Sequence, residues 1–271
     1  MAKLNLSTTR KISSGKFQKF FIYGLPGSGK THFAGSFPDP LFITPKATQT
    51  ELQTYGDQDF TIARISTMQD TVDTVNTISE SILKGKKIGD YKPQTIIIDN
   101  LTEIQNMIEH ELTAAEGRGN TVAGQKIMGQ REWGALSVVL MHMRTMLYKL
   151  TDHCHIIWIA HAVVQSTTEV VNGKSVSRDY GTWTLRGGAK NFIPNNCHIL
   201  YAESIPKARR TAYYVHAEPK GIWPARIHFP SGSKRFSRLG FLDKKPDELH
   251  PVYDDIAPYF GLDSLEEAES D

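Results

Sequence analysis

The segment from residue 24 to residue 31 constrains this chain more than any other, because it fits the pattern G-x-x-x-x-G-K-[ST] at every fixed position. An apolar run at residues 20–23 precedes it and predicts a buried strand, and residues 30–37 predict a helix. In this context the backbone N–H groups of the loop can turn toward one anion, and the helix N-terminus adds partial positive charge. The pattern predicts a phosphate-binding loop formed by Gly24, Leu25, Pro26, Gly27, Ser28, Gly29, Lys30 and Thr31.

Lys30 and Thr31 carry the chemistry of such a loop. The lysine reaches the β- and γ-phosphates of a bound nucleoside triphosphate, and the hydroxyl that follows it ligates Mg²⁺. A glycine-rich turn that matches by chance is the alternative, but it does not explain the strand and the helix on either side.

Strand and helix patterns alternate after this loop. Residues 41–44 and 60–65 predict strands, and Thr67 and Gly85 delimit a helix. This repeat is typical of an α/β protein with a mainly parallel central sheet flanked by helices. Later in the chain Asn172-Gly173 signals a hairpin, so we predict antiparallel strands toward the C-terminus.

Asp99 follows the apolar strand at residues 95–98. A carboxylate at the carboxyl end of a strand is the Walker B pattern, in which it holds the Mg²⁺ shell. Any buried strand that ends in a turn aspartate would match, so the pattern gains its specificity from the phosphate-binding loop upstream.

His161 ends the next central strand, at residues 156–160. A polar side chain there can contact the γ-phosphate or the attacking water, whereas the alternative is a histidine that merely ends a strand. The nearby run at residues 153–155, His-Cys-His, raises the question of zinc. Alternate strand residues point to opposite faces and no second ligand cluster lies nearby, so zinc is not favoured.

Residues 179–190 alternate aromatic, basic and glycine residues. Aromatic faces stack on bases while arginine and lysine follow phosphates, so this stretch is a candidate contact for single-stranded nucleic acid. The alternative is an exposed loop with two buried aromatic residues.

The two ends of the chain differ in charge. Residues 1–30 contain no acid and the last nine residues contain no base, which is typical either of a protein that handles a polyanion or of two solvated termini. Two cysteines and no apolar run of bilayer length predict a cytoplasmic protein without a membrane partner. We expect a basic lead-in at residues 1–16, a core at 17–240 and a tail with an acidic end at 241–271.

Taken together, residues 17–230 resemble the small phage-type RecA-like ATPases, some of which anneal single strands. The resemblance rests on the phosphate-binding loop, Ile-Ile-Ile-Asp at 96–99, Glu-Trp-Gly at 132–134, Trp-Ile-Ala-His at 158–161, and the late Lys220 and Arg226. It implies a RecA-like core, ATP and Mg²⁺ as cofactors, and assembly into a ring or filament of identical subunits. It further implies single-stranded DNA as the ligand, strand annealing or pairing in recombination as the role, a single-strand-binding protein as a possible partner, and the cytoplasm of an infected bacterial host.

The resemblance also assigns residues. Two DNA-binding loops correspond to residues 117–130 and 163–190, and the matching positions are Arg118, Lys126, Arg131, Lys174, Arg178, Trp183, Arg186 and Lys190. Lys220 and Arg226 correspond to residues that reach the γ-phosphate of a neighbouring subunit; by themselves they read as surface charge.

One departure concerns catalysis. The family carries Asp-x-Glu after the second strand to orient the attacking water, but this chain has Thr44-Pro45-Lys46. The expected catalytic set is Lys30, Asp99 and His161, with Glu51 or Glu103 as a substitute base. A missing base costs on the order of a hundredfold in rate, so we expect firm ATP binding and slow hydrolysis.

Three other functions remain open at this stage. The first is a loader or motor of the AAA+ or helicase type that acts on DNA or on a protein partner, although strands after His161 are not typical of an AAA+ helical lid. The second is a small-molecule kinase, which needs an arginine-rich lid. The third is a nucleotide-gated binding module that does not turn over.

Overall fold

The structure is a computed structural model and describes residues 17–46, 60–114, 120–122, 125–171, 174–207, 210–228, 235–240, 252–260 and 262. Its strands are β1 (Lys19–Gly24), β2 (Pro40–Pro45), β3 (Thr61–Ile65), β4 (Thr95–Ile98), β5 (Asn120–Val122), β6 (Gln125–Ile127), β7 (His155–Val171), β8 (Lys174–Trp183), β9 (His198–Lys207), β10 (Arg210–His216) and β11 (Arg238–Gly240). Its helices are α1 (Lys30–Gly35), α2 (Met68–Leu83), α3 (Leu101–Ala114), α4 (Gln130–Tyr148), the turn α5 (Ala189–Phe192) and α6 (Tyr253–Phe260), with a 3-10 turn at Pro194–Asn196.

The main sheet has the order β3-β2-β4-β7-β1-β9-β10-β11. All neighbours from β3 to β9 pair in parallel, whereas β10 and β11 pair antiparallel, and β8 pairs antiparallel with the outer half of β7. The predicted α/β architecture, with a mainly parallel sheet, flanking helices and antiparallel C-terminal strands, is confirmed.

Helices cover the sheet on both faces, which explains why its inner strands are continuously apolar. On one face α2, α3 and α4 pack against side chains such as Phe21 and Ile96. On the other face α1 and α6 pack against Phe20 and Ile97. Strands buried on both sides need apolar residues at consecutive positions, as residues 96–98 have. Because α6 belongs to the predicted tail, part of that segment contributes to the core.

Local sequence patterns predicted some elements of the structure and missed others. The predicted start of α2 is confirmed, since the Asp70 N–H donates to Thr67 Oγ1 at 3.0 Å. The segment at residues 117–130, which the resemblance assigns to a DNA-binding loop, contains regular structure, because β5 and β6 pair as antiparallel strands there. Strands of three residues are too short to show a period in the sequence.

The base of the β7–β8 hairpin packs against a turn at residues 220–223. Trp223 stacks on Tyr201 with ring centroids 4.8 Å apart and planes within 9°. The Gly181 N–H donates to the Ile222 carbonyl at 2.9 Å, and a Cβ on Gly181 would lie 2.2 Å from the Trp223 ring. The indole therefore occupies the space that any larger residue at position 181 would need.

We expect Gly181→Ala to lower the free energy of unfolding by about 1–3 kcal/mol, because an added methyl group forces Trp223 out of its stack. Gly134→Ala is the matched control, since Gly134 lies exposed within α4 and an added Cβ meets no atom within 4 Å. That change should raise the free energy of unfolding by about 0.5–1 kcal/mol. Urea unfolding checks both values, and equal effects of the same sign would contradict this packing.

Candidate active site

The phosphate-binding loop joins the end of β1 to the start of α1. Gly27 and Gly29 have φ angles of 72° and 81°, a region that favours glycine. Gly24 lies so close to β9 that a Cβ there would be 2.2 Å from the Ala202 carbonyl oxygen. The glycines are therefore required by backbone conformation and by close approach, as in a loop whose N–H groups surround an anion.

Lys30 lies across this loop and is buried. Its ammonium group donates to the carbonyl oxygens of Gly24 at 3.1 Å and Leu25 at 2.9 Å, and it lies 3.3 Å from Ser28 Oγ. These contacts hold the positive charge at the loop, where a phosphate would compete for it.

Thr31, on the first turn of α1, and Asp99, directly after β4, meet beside the loop. The Thr31 hydroxyl donates to Asp99 Oδ2 at 2.6 Å, although β7 lies between β1 and β4. Hydroxyl and carboxylate oxygens are the protein ligands that suit Mg²⁺. Thr31 and Asp99 thus fit the cation that accompanies a nucleoside triphosphate, directly or through water.

Asn100, which the sequence analysis did not single out, connects Asp99 to His161. Its Oδ1 accepts the Glu103 N–H at 2.8 Å, which places its amide Nδ2 3.1 Å from His161 Nε2. Since Nδ2 can only donate, His161 Nε2 accepts and the imidazole proton sits on Nδ1. An asparagine before a helix signals an N-cap, but nothing in the sequence links it to a histidine 61 positions away.

His161 lies beside the phosphate-binding loop. The register of β1 and β7 places it opposite Gly24, at the edge of the sheet where β4 ends in Asp99. The structure therefore brings Lys30, Thr31, Asp99 and His161 to one sheet edge. The prediction that the strand ends at His161 is wrong, because β7 continues without a break to Val171. The role of His161 as a sensor of the γ-phosphate stays a prediction.

Of the two residues predicted to activate the attacking water, the structure describes only Glu103. Glu51 lies outside the described residues, whereas Glu103 is on the first turn of α3 and its N–H binds Asn100. The end of β2 lies beside Asp99, whose N–H donates to the Ile43 carbonyl at 3.0 Å. The position at which RecA-like ATPases carry an acidic residue after the second strand is thus next to the site, but in this chain the buried Thr44 lies there.

Those predicted DNA-binding residues whose side chains the structure describes lie on several different elements. Arg118 lies outside the described residues, and for Lys126 and Lys174 only the strand positions are described. Arg131 and Arg178 are exposed, on α4 and β8, whereas Lys190 is half-buried on α5.

Two members of that set have partners within the fold. The Trp183 ring contacts Phe21 edge-on at 5.2 Å, and its indole N–H donates to the Lys190 carbonyl at 2.9 Å. The Arg186 guanidinium forms an ion pair with Glu109 at 2.8 Å. Trp183 packs toward the core, whereas Tyr180 on the same strand exposes 39% of its surface.

Lys220 and Arg226, the residues predicted to act on a neighbouring subunit, lie apart from each other. Arg226 is exposed and pairs by backbone with Ile199. Lys220 forms an ion pair with Glu203, which follows Ala202 at the end of β9 and also accepts from His216 Nε2 at 2.9 Å. Burial would raise the pKa of Glu203, but the hydrogen bonds from Lys220 and His216 outweigh it and hold that pKa below the ordinary value.

The His-Cys-His run at residues 153–155 has a packing role. Cys154 is buried, with its thiol directed at the Leu150 carbonyl, and His155 accepts a hydrogen bond from the Gln18 N–H at 3.1 Å. In the ranges that the structure describes, no three histidine, cysteine, aspartate or glutamate side chains form a metal-binding group.

The fold and this site define a P-loop ATPase. A family model described as AAA domain matches residues 16–226, so the chain belongs to the AAA domain family. The chain is also similar to the KaiC-like protein PH0186 from Pyrococcus horikoshii OT3, with 13% identity, a TM-score of 0.42, and coverage of 83% of this chain and 89% of that one. A comparison with curated proteins gave no match. Within the described part of the chain, no helix has the length and apolar composition needed to cross a bilayer.

We expect Lys30→Ala to weaken ATP binding about 100-fold, because two charge-assisted hydrogen bonds to phosphate oxygens are together worth about 3 kcal/mol. Lys84→Ala is the control, since Lys84 is an exposed lysine paired only with Glu80 among the ion pairs described. Titration with a fluorescent ATP analogue in Mg²⁺ measures both. Wild-type affinity in the Lys30 variant would contradict the assigned site.

We expect the ion pair of Glu203 to make stability depend on acid pH. A carboxyl group whose pKa is lowered in the folded state stabilises the fold above about pH 4.5, and this contribution is lost as the pH falls through the folded-state pKa. Glu203→Gln should therefore lose less stability than the wild type when urea unfolding is compared at about pH 5 and about pH 3.5.

Glu80→Gln is the matched control for Glu203. The hydrogen bond from Lys84 lowers the pKa of Glu80 too, but this pair is exposed and screened by solvent. Exposed pairs contribute little, so its pH dependence should equal that of the wild type. If Glu203→Gln and Glu80→Gln showed the same pH dependence of stability, the ion pair of Glu203 would not contribute to stability as expected.

Proposed function

We propose that this protein is a Mg²⁺-dependent ATPase whose nucleotide state controls binding to single-stranded DNA, and that it promotes strand annealing or pairing. The observation that carries the proposal is the continuity of β7. This one strand runs from His161, at the nucleotide site, directly into the hairpin that presents Tyr180 and Arg178.

The outer hairpin has two different faces. Tyr180 and Arg178 are two residues apart on β8, so they share a face, and both are exposed. The Tyr180 hydroxyl donates to Gln165 Oε1 at 2.8 Å across the ribbon, which holds the ring in place. Asp179 points to the other face, where it accepts from the Ser166 hydroxyl at 2.5 Å. The aromatic and basic face is thus separated from this acid.

This face suits a single strand of nucleic acid. An exposed ring stacks on any base, and a guanidinium group beside it binds the phosphate chain. Of the two aromatic residues on β8, Tyr180 rather than Trp183 is the proposed stacking residue.

At the nucleotide site, the chain's own residues have separate roles. Lys30 binds the β- and γ-phosphates, and Thr31 and Asp99 hold the cation, which neutralises phosphate charge when bound. His161 contacts the γ-phosphate or the attacking water. The end of β2 carries Thr44, Pro45 and Lys46, so hydrolysis is slow and ATP acts chiefly as a switch, with Glu103 as the described candidate base.

The proposal includes assembly into a ring or filament of identical subunits. Lys220 and Arg226 would then face the nucleotide of a neighbouring copy, which requires Lys220 to leave Glu203. Partnership with a single-strand-binding protein belongs to the same proposal.

A loader or motor that acts on DNA or on another protein is the second candidate. Membership of the AAA domain family favours it. Against it, the described residues after His161 form mainly strands, and helix is confined there to Ala189–Phe192, Pro194–Asn196 and Tyr253–Phe260. A loader would hydrolyse ATP in response to its protein partner rather than to single-stranded DNA.

We expect Tyr180→Ala to weaken binding of a labelled oligo(dT) strand about 10-fold in the presence of Mg²⁺ and a non-hydrolysable ATP analogue, because stacking contributes about 1–3 kcal/mol per base. Arg178→Ala should weaken binding and reduce the salt slope by about 0.7, the value for one phosphate contact on a single strand. Fluorescence anisotropy at several salt concentrations measures both effects.

Two controls make this test specific. Tyr180→Phe keeps the ring and should bind like the wild type, and Ser177→Ala alters the opposite face of the same strand. Absence of binding by the wild type at low salt would refute the proposed DNA function. Binding that is unchanged in Tyr180→Ala and Arg178→Ala would move the DNA site away from the hairpin.

A further inference from the structure

The start of α3 carries buried polar side chains that are bonded to β7 and to the segment after β8. Asn100, Thr102 and Gln105 are 2%, 8% and 1% exposed. Burial of a polar group costs free energy unless it is hydrogen-bonded. Asn100 and Thr102 meet that requirement with bonds to His161 of β7, and Gln105 meets it with a bond to Arg186 in the segment after β8.

His161 is held from α3 through both its side chain and its backbone. Asn100 donates to the imidazole, and Thr102 Oγ1 accepts the His161 N–H at 3.1 Å. Thr184, directly after β8, donates its N–H and its hydroxyl to the His161 carbonyl at 2.9 and 3.2 Å. The two threonine hydroxyls lie 2.8 Å apart, and because the Thr184 proton goes to His161, Thr102 donates to Thr184.

The exit of β8 is attached to the same helix one turn later. Gln105 Oε1 accepts the Arg186 N–H at 3.0 Å, and its amide donates to Glu109 at 2.7 Å. The Arg186 guanidinium then binds Glu109 at 2.8 Å and Asn106 at 3.1 Å. Helix α3 is therefore bonded to β7 at His161 and, through Thr184 and Arg186, to the segment that directly follows β8.

The same helix begins two residues after Asp99, the candidate cation ligand. A displacement of Asp99 or Asn100 when the site fills moves the first turn of α3, and the bonded threonine pair moves with it. We infer that Thr102 and Gln105 are positioning residues through which nucleotide binding sets the conformation of the β7–β8 hairpin. The link to the hairpin stands on its own geometry, whereas its consequence for DNA rests on the proposed function.

The direct test is hydrogen exchange of the full chain, followed at the amides of residues 163–183 with and without a non-hydrolysable ATP analogue and Mg²⁺. In the wild type the nucleotide should slow exchange of these amides by about threefold or more. In Thr102→Val the difference should disappear, while affinity for the analogue stays within about threefold of the wild type. Thr184→Val breaks the same hydroxyl pair from the other side and should give the same result.

Thr113→Val is the matched control. It is the same substitution on the same helix, but the Thr113 hydroxyl bonds only to the α3 carbonyls of Glu109 and His110 among the hydrogen bonds described. This variant should keep the wild-type response. Thermal unfolding of all variants identifies any that fails to fold, and Gln105→Met then gives an independent reading from the second attachment.

The outcomes separate this inference from the proposed function. The inference is overturned if the nucleotide slows amide exchange in the hairpin of the wild type and does so equally in both threonine variants. It is also overturned if the nucleotide leaves exchange in the wild-type hairpin unchanged. Loss of the response in the threonine variants supports it, even if the wild type fails to bind oligo(dT). In that last case the DNA proposal fails and the coupling remains.

Discussion

Hydrogen-bond pairing of β7 with β1 on one side and β4 on the other is the constraint on which the site depends. Gly24 lies opposite His161 in the first pairing, and Ile98 lies opposite Trp158 in the second. Parallel strands end at one edge, so the phosphate-binding loop, the aspartate after β4 and the histidine of β7 meet there. Because β7 extends past the end of β4, His161 lies within reach of Asn100. A shift in register by one residue would turn His161 to the other face and remove this contact.

Charge in this region is balanced within short distances. Lys30 is surrounded by loop carbonyl oxygens, Asp99 accepts from Thr31, and Glu203 is bound by Lys220 and His216. An unpaired buried charge is costly, so the fold holds each of these charged groups against a hydrogen-bonding partner. The phosphate-binding loop and the end of β9 are also in close contact through Gly24 and Ala202. The loop that would bind the nucleotide therefore lies next to the backbone of Ala202, and the following residue, Glu203, holds Lys220.

The hairpin connects this chemistry to a possible polymer ligand. The β-strand β7 extends from the nucleotide site into the exposed β7–β8 hairpin. Helix α3 is hydrogen-bonded to the residues at the base of this hairpin. Such an arrangement differs from a helical lid, because the hairpin is an extension of the central sheet itself. Membership of the AAA domain family supports a P-loop ATPase, whereas the proposal of a nucleic-acid ligand rests on the ribbon and its exposed Tyr180.

The sequence by itself determined the phosphate-binding loop, the Walker B aspartate and the alternating α/β order, because these depend on local backbone conformation and on the period of apolar residues. It also predicted that His161 lies at the sheet edge beside the phosphate-binding loop, but it ended the strand there, whereas β7 continues to Val171. Only the tertiary structure decided that Asn100 binds His161, that Glu203 binds Lys220, and that Trp183 packs inward while Tyr180 is exposed. Those outcomes depend on the register between strands and on which face a neighbouring element covers. Residues distant in sequence set both, so no local pattern in the chain records them.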